Sequence, residues 1–214
     1  MKKVSSTRME LLARKAQIML ARQGRDLLEQ KRTALMEEFF RTADTVMEHS
    51  DALQQASDDA RQALAKALST AGTEAVRSAA LASRAELPLQ MTTANVMGVR
   101  VPHIEQKTAS RLASARGYSI VNTSITVDEA AAAFESQVSA IILLAESELR
   151  LKRLASEIQR TSRRLNALEH LLIPELETEK DFIQMALDER ERTDHFRFKL
   201  MKRFLERKRG TSFI

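Results

Sequence analysis

Two runs of this chain repeat apolar or small residues at alternating steps of three and four, and almost nothing interrupts either run. In the first, Met36, Phe39, Ala43, Val46, Ser50, Leu53, Ser57, Ala60, Leu64 and Ala67 recur in this way; in the second, Leu151, Leu154, Ile158, Thr161, Leu165, Leu168 and Leu172 do. This is the spacing of coiled-coil a and d positions. Each stripe is about two residues wide per heptad, narrower than the ~3 apolar positions in seven of a helix packed in a globular core. The simplest partner for each stripe is the other one.

The punctuation of the chain says how the two stripes meet. Between Ser5 and Leu87 there is no Pro and only Gly24 and Gly72, in a background of Ala, Leu, Met, Glu, Gln, Lys and Arg. That composition predicts one very long helix or two nearly continuous ones. Pro88, Gly98, Pro102 and Gly117 then crowd into the middle, and helical composition returns from Asp128 to about Arg209, interrupted by Pro174. The chain therefore divides into an N-terminal helix (1–87), a central irregular head (88–127) and a C-terminal helix (128–214), with a reversal that makes the helices antiparallel. The expected class is all-α, a long antiparallel two-helix coiled coil with a small β-hairpin or irregular head. At ~1.5 Å per residue, a helix of some 75 residues is on the order of 110 Å long, a rod.

Within the head, Leu89, Met91 and Thr93 alternate with polar or small residues, Val99 and Val101 do so after Gly98, and Ile120, Val121, Thr123 and Ile125 follow Tyr118. Short strands or a hairpin are expected there. Both stripes lie outside Leu89 to Ser124, so removal of that segment is expected to leave the helices paired. The second stripe resumes beyond Pro174 through Leu176, Ile183 and Leu187, which predicts a kink rather than a stop. Gly24, inside a helical run, either lets another backbone approach closely or is tolerated on a solvent face.

Chemistry is conspicuous by what the residues exclude. The chain has no Cys, so disulfides, thiolate metal sites and cysteine nucleophiles are out. Neither G-x-x-x-x-G-K-[ST] nor G-x-G-x-x-G occurs, so no Gly-rich phosphate loop is available and the chain itself is not expected to bind ATP. His49, His103, His170 and His195 are scattered without helical metal spacing. Glu37 with Glu38, and Asp58 with Asp59, are adjacent, so on a helix their side chains diverge by about 100° and cannot address one atom. No catalytic residue, cofactor or metal is expected. Thr161, Ser162, Arg163 and Arg164 form one cluster that could hold an anion, although Thr161 sits on the stripe and an Arg pair is equally at home in solvent. The longest apolar run near residue 140, Ala140 to Ala145, is far too short to span a bilayer. A soluble, unprocessed, cytoplasmic chain is expected.

Charge singles out one end. There are 34 Lys plus Arg against 29 Asp plus Glu, a net charge of +5. Residues 1–32 carry Lys2, Lys3, Arg8, Arg14, Lys15, Arg22, Arg25, Lys31 and Arg32 against Glu10, Asp26 and Glu29, and Arg190 to Arg209 is equally basic. An antiparallel pair brings both basic termini to one pole. A nucleic-acid-binding coiled coil would also be basic, but it should offer aromatic stacking residues, and Tyr118 is the only Tyr or Trp. A generic coiled-coil scaffold or chaperone-like arm would share every feature described so far.

Four blocks separate that alternative from a specific family. They are Thr7-Arg8 with Leu11-Leu12, Ala21, Gly24, Asp26-Leu27-Leu28, Lys31-Arg32 and Leu35; Asn95-Val96-Met97-Gly98-Val99-Arg100-Val101-Pro102; Thr161 to Glu169 with Ile173-Pro174; and Leu187 to Arg192 with Phe196, Lys199 and Lys202. Together and in this order the chain resembles the D subunit of the V-type and A-type rotary ATPases, with Ser6 in place of the family's Pro and Glu29 in place of a Lys. The resemblance implies the central rotor shaft, a non-catalytic coiled coil with its termini inside a ring of alternating A and B subunits. It also implies pairing with the F subunit of the stalk and a lower end seated in a funnel-shaped subunit on the membrane ring, with torque coupling ATP chemistry to proton or sodium movement. The ring contacts then fall on Arg8, Arg14, Lys15, Arg163, Arg164, Arg190, Arg192, Lys199, Lys202 and Arg203.

Overall fold

The computed structural model describes residues 5–83, 89–105, 109–112, 116–119 and 123–210. Helix α1 (Arg8–Ala71) and the short α2 (Thr73–Ala82) precede strands β1 (Met91–Val96) and β2 (Val99–Ile104). Helix α3 (Ile125–Ala167) then passes through a π-helical turn (Leu168–Leu172) into α4 (Ile173–Gly210). The fold is all-α with one small hairpin, as the composition demands. The chain forms two compact units, residues 1–32 with 160–214, and residues 33–159.

Gly72 separates α1 from α2 because its φ of +83° is a conformation that side-chain-bearing residues avoid. Ser124 starts α3, its carbonyl and hydroxyl oxygens accepting from the first helical N–H groups at Val127 (2.9 Å) and Thr126 (3.4 Å). Ile125 is therefore the first residue of a helix and not part of a strand, a correction to the alternation read after Tyr118; Ile120 and Val121 lie outside the described residues.

In the 33–159 unit the helices run antiparallel. Glu38 bonds Arg150, His49 Nδ1 lies 3.1 Å from Ser147 Oγ, Gln137 donates to Ser57 at 2.9 Å and Lys66 pairs with Glu129 at 2.7 Å, so one index falls as the other rises. Ala60 and Ala67 are fully buried, as the stripe predicts. Farther up α1 the seam is displaced by one residue. Leu35, Glu38 and Thr42 are buried where Met36, Phe39 and Ala43 were expected, and Ser50 is exposed beside half-buried His49. Glu38 tolerates the seam because it meets Arg150 and also Arg41 (3.2 Å), and Thr42 donates back to the Glu38 carbonyl at 2.8 Å.

The same unit holds the hairpin. Val99 and Val101 pack with Leu35 and Leu154, flanked by Phe39, Val96 and Ile158. The segment Leu89 to Ser124 thus supplies half of a core cluster, contrary to the expectation that the stripes alone hold the helices. A second cluster joins Ala67, Ala79, Val127 and Ala130 where α1, α2 and α3 meet.

In the other unit the pairing is again antiparallel, from Arg8 with Glu191 (2.5 Å) through Arg14 with Glu179 (3.2 Å) to Arg22 with Glu177 (2.6 Å). Ile18, Ala21, Thr161, Leu165, Ile173, Leu176 and Ile183 are buried. Leu172, expected on the stripe, is 42% exposed, and Ile173 takes its place. Pro174 has no N–H, and its ring clashes with a carbonyl four residues back. The π turn just before it widens the helix and carries one extra residue, which moves the seam from Leu172 to Ile173.

Nothing lies within 4 Å of a Cβ built on Gly24, so no backbone approaches it. Gly24→Ala is accordingly expected to stabilise the protein by about 0.5–1 kcal/mol through helix propensity alone. Urea denaturation of the two proteins measures this, and a destabilised variant would revive the close-approach reading.

Candidate functional site

All ten basic residues read from the sequence as contact candidates fall in the unit formed by residues 1–32 and 160–214. The structure brings one set of them together. The Arg8 guanidinium donates to Glu191 at 2.5 Å, and Arg190 Nη1 donates to the Ser6 carbonyl at 3.0 Å, so the start of α1 lies against residues 190 and 191 of α4. Arg14 is half-buried, held by Glu10 (2.9 Å), Glu179 (3.2 Å) and Gln17 (2.9 Å), and so behaves as a seam residue more than as a free cation. Arg192 reaches Glu189 at 3.5 Å and Lys202 reaches Glu206 at 4.0 Å, both along one helix face and both exposed. Lys15, Lys199 and Arg203 are exposed and have no ion-pair partner among the described residues.

Arg163 and Arg164 do not join this group. Both are exposed and unpaired among the described residues, while Thr161 beside them is 1% exposed in the seam. They stand some 26 residues from Arg190, on the order of 40 Å along a helix.

Charge is only half of what the end of α4 presents. Within residues 196–205 the sequence Phe-Arg-Phe-Lys-Leu-Met-Lys-Arg-Phe-Leu has six large apolar residues, four basic ones and no acid. Phe196, Phe198, Leu200, Met201, Phe204 and Leu205 are each 58–72% exposed. At about 100° per residue they spread over an arc of roughly 200° around the helix axis, with Lys199, Lys202 and Arg203 on the remaining side, an arc too wide for one seam. The signal in the sequence is the breakdown of the three-four spacing after Leu187, which the density of Lys and Arg masks.

A second cluster of charge lies in the 33–159 unit, beside an apolar cleft of about 340 Å³ lined by Leu64, Val76, Val127, Ala130, Phe134 and Val138. Arg116, with its side chain 9% exposed, grips Glu135 through Nε (2.9 Å) and Nη2 (3.0 Å) and reaches the Asp128 carbonyl and carboxylate through Nη1, both at 3.2 Å. The Tyr118 hydroxyl donates to the same Asp128 carboxylate at 2.6 Å, and the Arg111 N–H to Glu135 at 3.1 Å. The hydrogen bond to Glu135 raises the Arg116 guanidinium above its ordinary value against the effect of burial. Burial alone would push the Glu135 carboxyl up; the bonds from Arg116 and Arg111, with their charges, outweigh it and hold Glu135 below the usual carboxylate range. Burial raises the Tyr118 phenol, helped by its bond to Asp128. The arrangement clamps Arg111, Arg116 and Tyr118 to α3.

Among the described residues no helix is long and apolar enough to cross a membrane. The family model described as the ATP synthase D subunit matches residues 10–203. The chain is 44% identical over 208 residues to the A-type ATP synthase D subunit of Thermococcus gammatolerans, covering 97% of each chain. It is 42% identical over 204 residues to that of Pyrococcus horikoshii, covering 95% of each. Against the protein of the same name from Methanobrevibacter smithii it is 40% identical over 205 residues, covering 96% of this chain and 89% of that one. The chain belongs to the family of the ATP synthase D subunit.

Proposed function

We propose that the chain is the central rotor shaft of an A/V-type ATPase, a non-catalytic subunit that carries torque between ATP hydrolysis or synthesis and ion movement. Its partners in this reading are the ring of A and B subunits, the F subunit of the stalk and the funnel-shaped subunit on the membrane ring. It sits on the cytoplasmic side, peripheral to the membrane. The observation that carries the proposal is the end of α4, which continues past the pairing of Arg8 with Glu191 and exposes six large apolar side chains over roughly half of its circumference, with Lys199, Lys202 and Arg203 on the other side. An exposed apolar arc that wide, too broad for one partner helix to cover, marks a surface that another protein encloses. A ring that surrounds the helix covers the apolar arc and the basic side together, and that is what a turning shaft requires. A generic coiled-coil scaffold has no need of such an end.

Reassembly of the complex with and without this chain tests the proposal. ATP-driven ion uptake into vesicles is expected only when the chain is present, while the A and B subunits retain hydrolysis without it. Full uptake in its absence would sink the idea.

The ring contacts proposed are the basic candidates that face solvent, together with the phenylalanines between them. Each exposed ion pair contributes ~0–1 kcal/mol, so Lys199→Glu alone is expected to leave assembly nearly unchanged. Reversal of Arg192, Lys199, Lys202 and Arg203 together should weaken it about tenfold or more at low salt, the loss shrinking as salt screens it. Phe196→Ala with Phe204→Ala should weaken assembly at every salt concentration. Shaft affinity for the ring, titrated against salt, separates the two contributions; if neither set changes affinity, the end of α4 does not meet the ring.

A further inference from the structure

The two strands of the hairpin have different outer edges, and the difference follows from register. Met97 (φ 50°) and Gly98 (φ 85°) form a two-residue turn with positive φ at both positions, closed by the pair Val96 and Val99. Antiparallel pairs alternate between those that exchange both main-chain hydrogen bonds and those that exchange none. Val96 with Val99, Ala94 with Val101 and Thr92 with His103 are therefore the bonded pairs, a set that continues in the Glu105 N–H bond to the Gln90 carbonyl at 3.1 Å. Asn95 with Arg100, Thr93 with Pro102 and Met91 with Ile104 are the others. The N–H and C=O groups of these residues point outward, away from the partner strand.

On β2 the outward row is Arg100, Pro102 and Ile104. Pro102 has no N–H to offer at its centre, and Arg100 adds a charge, two of the devices that guard an edge against pairing. On β1 the outward row is Met91, Thr93 and Asn95, complete in donors and acceptors, and the whole strand Met-Thr-Thr-Ala-Asn-Val carries no charge and no proline. All of β1 up to Asn95 is exposed, and among the described residues β2 is the only strand paired with it. One edge of the same hairpin is blocked and the other is left open.

We propose that the open edge of β1 receives an extended strand from another subunit of the complex, by main-chain hydrogen bonding to Met91, Thr93 and Asn95. This rests on the reading of the chain as a subunit of that assembly. The incoming strand is uncharged where it lies beside Met91 and Thr93 and carries an acidic side chain beside Asn95. Arg100, across from Asn95 on the same exposed face and without an ion-pair partner among the described residues, reaches over Asn95 to meet it.

Residue-resolved hydrogen exchange, read by mass spectrometry with electron-transfer fragmentation, tests this on the isolated chain and on the complex reassembled with the remaining subunits. The amides of Met91, Thr93 and Asn95 should exchange freely in the isolated chain and slowly in the complex. Failure of the chain to enter the complex would defeat the assembly reading itself. Entry with these three amides still exchanging freely would overturn only the strand docking. Protection in the isolated chain that grows with its concentration would assign the edge to a second copy and also overturn it. Thr93→Pro copies on β1 what Pro102 already does on β2: it removes one outward donor, and the bonded amides of Ala94 and Val101 should stay protected. Its affinity for the remaining subunits is expected to fall about tenfold. Arg100→Glu leaves every main-chain donor in place and should weaken binding several-fold at low salt. Unchanged affinity in both variants would refute the proposal.

Discussion

Arg116→Ala is expected to lower the stability of the 33–159 unit by about 3–5 kcal/mol, the range for removing one partner of a buried ion pair. Its side chain, 9% exposed, satisfies both oxygens of Glu135 and two oxygens of Asp128, and the Arg111 N–H and Tyr118 hydroxyl cannot replace it alone. Arg116→Lys should recover only part of the loss, because an ammonium cannot make the two-pronged contact with Glu135. The pH dependence supplies a second readout. Glu135 has a lower pKa folded than unfolded, so its contribution is fully present above the unfolded carboxylate value near 4.3 and is lost as pH falls through the folded value. In Arg116→Ala, burial raises that carboxyl instead, and protonation relieves the buried charge. The gap between the two proteins in urea denaturation should therefore be widest near neutral pH and should narrow below about pH 4.5. A gap that stays constant with pH would mean that Arg116 acts through packing and not through Glu135.

That clamp was hidden from sequence reading for a definite reason. Asp128 and Glu135 share a face of α3 at i and i+7, but Arg116 lies across the break before α3 and no spacing ties it to them, so each alone reads as a solvated charge. The helices were legible because Leu53, Ala60, Leu64, Ala67, Leu154 and Leu165 keep the three-four rhythm with nothing to compete. The rhythm fails where polar residues take seam positions. Glu38 and Thr42 are buried only because Arg150, Arg41 and a helix carbonyl satisfy them, and a search for apolar spacing passes over them to Met36, Phe39 and Ala43. The slip at Leu172 has a backbone cause, the π turn ahead of Pro174. Gly98 betrayed the hairpin, since a two-residue turn with two positive φ values needs such a residue. What that hairpin packs against was not visible, because Val99 and Val101 meet Leu35 and Leu154 only after the chain has reversed.

Leu154→Ala should show how strongly the hairpin is tied to the helices. Leu154 and Leu35 are 0% exposed and Val101 is 2% exposed, so the side chain is enclosed by α1 on one side and β2 on the other. Its removal forfeits the transfer of three carbons from water and leaves a cavity, together about 2–5 kcal/mol. The upper part of the range applies only if the site cannot collapse. Two helices held by seam contacts on both sides of Leu154 have little freedom to close in, whereas a two-stranded hairpin, marginal by itself, can move. The predicted response is therefore uneven: a stability loss near ~3 kcal/mol, with faster exchange at the Val99 and Val101 amides than at amides of α3 around Ile158. Leu154→Met, which roughly conserves volume, should cost less than ~1.5 kcal/mol and leave the hairpin protected. Equal acceleration of hairpin and helix amides in Leu154→Ala would mean that hairpin and helices open together as one cooperative element, and that residues 89–124 cannot be removed without unfolding the 33–159 unit.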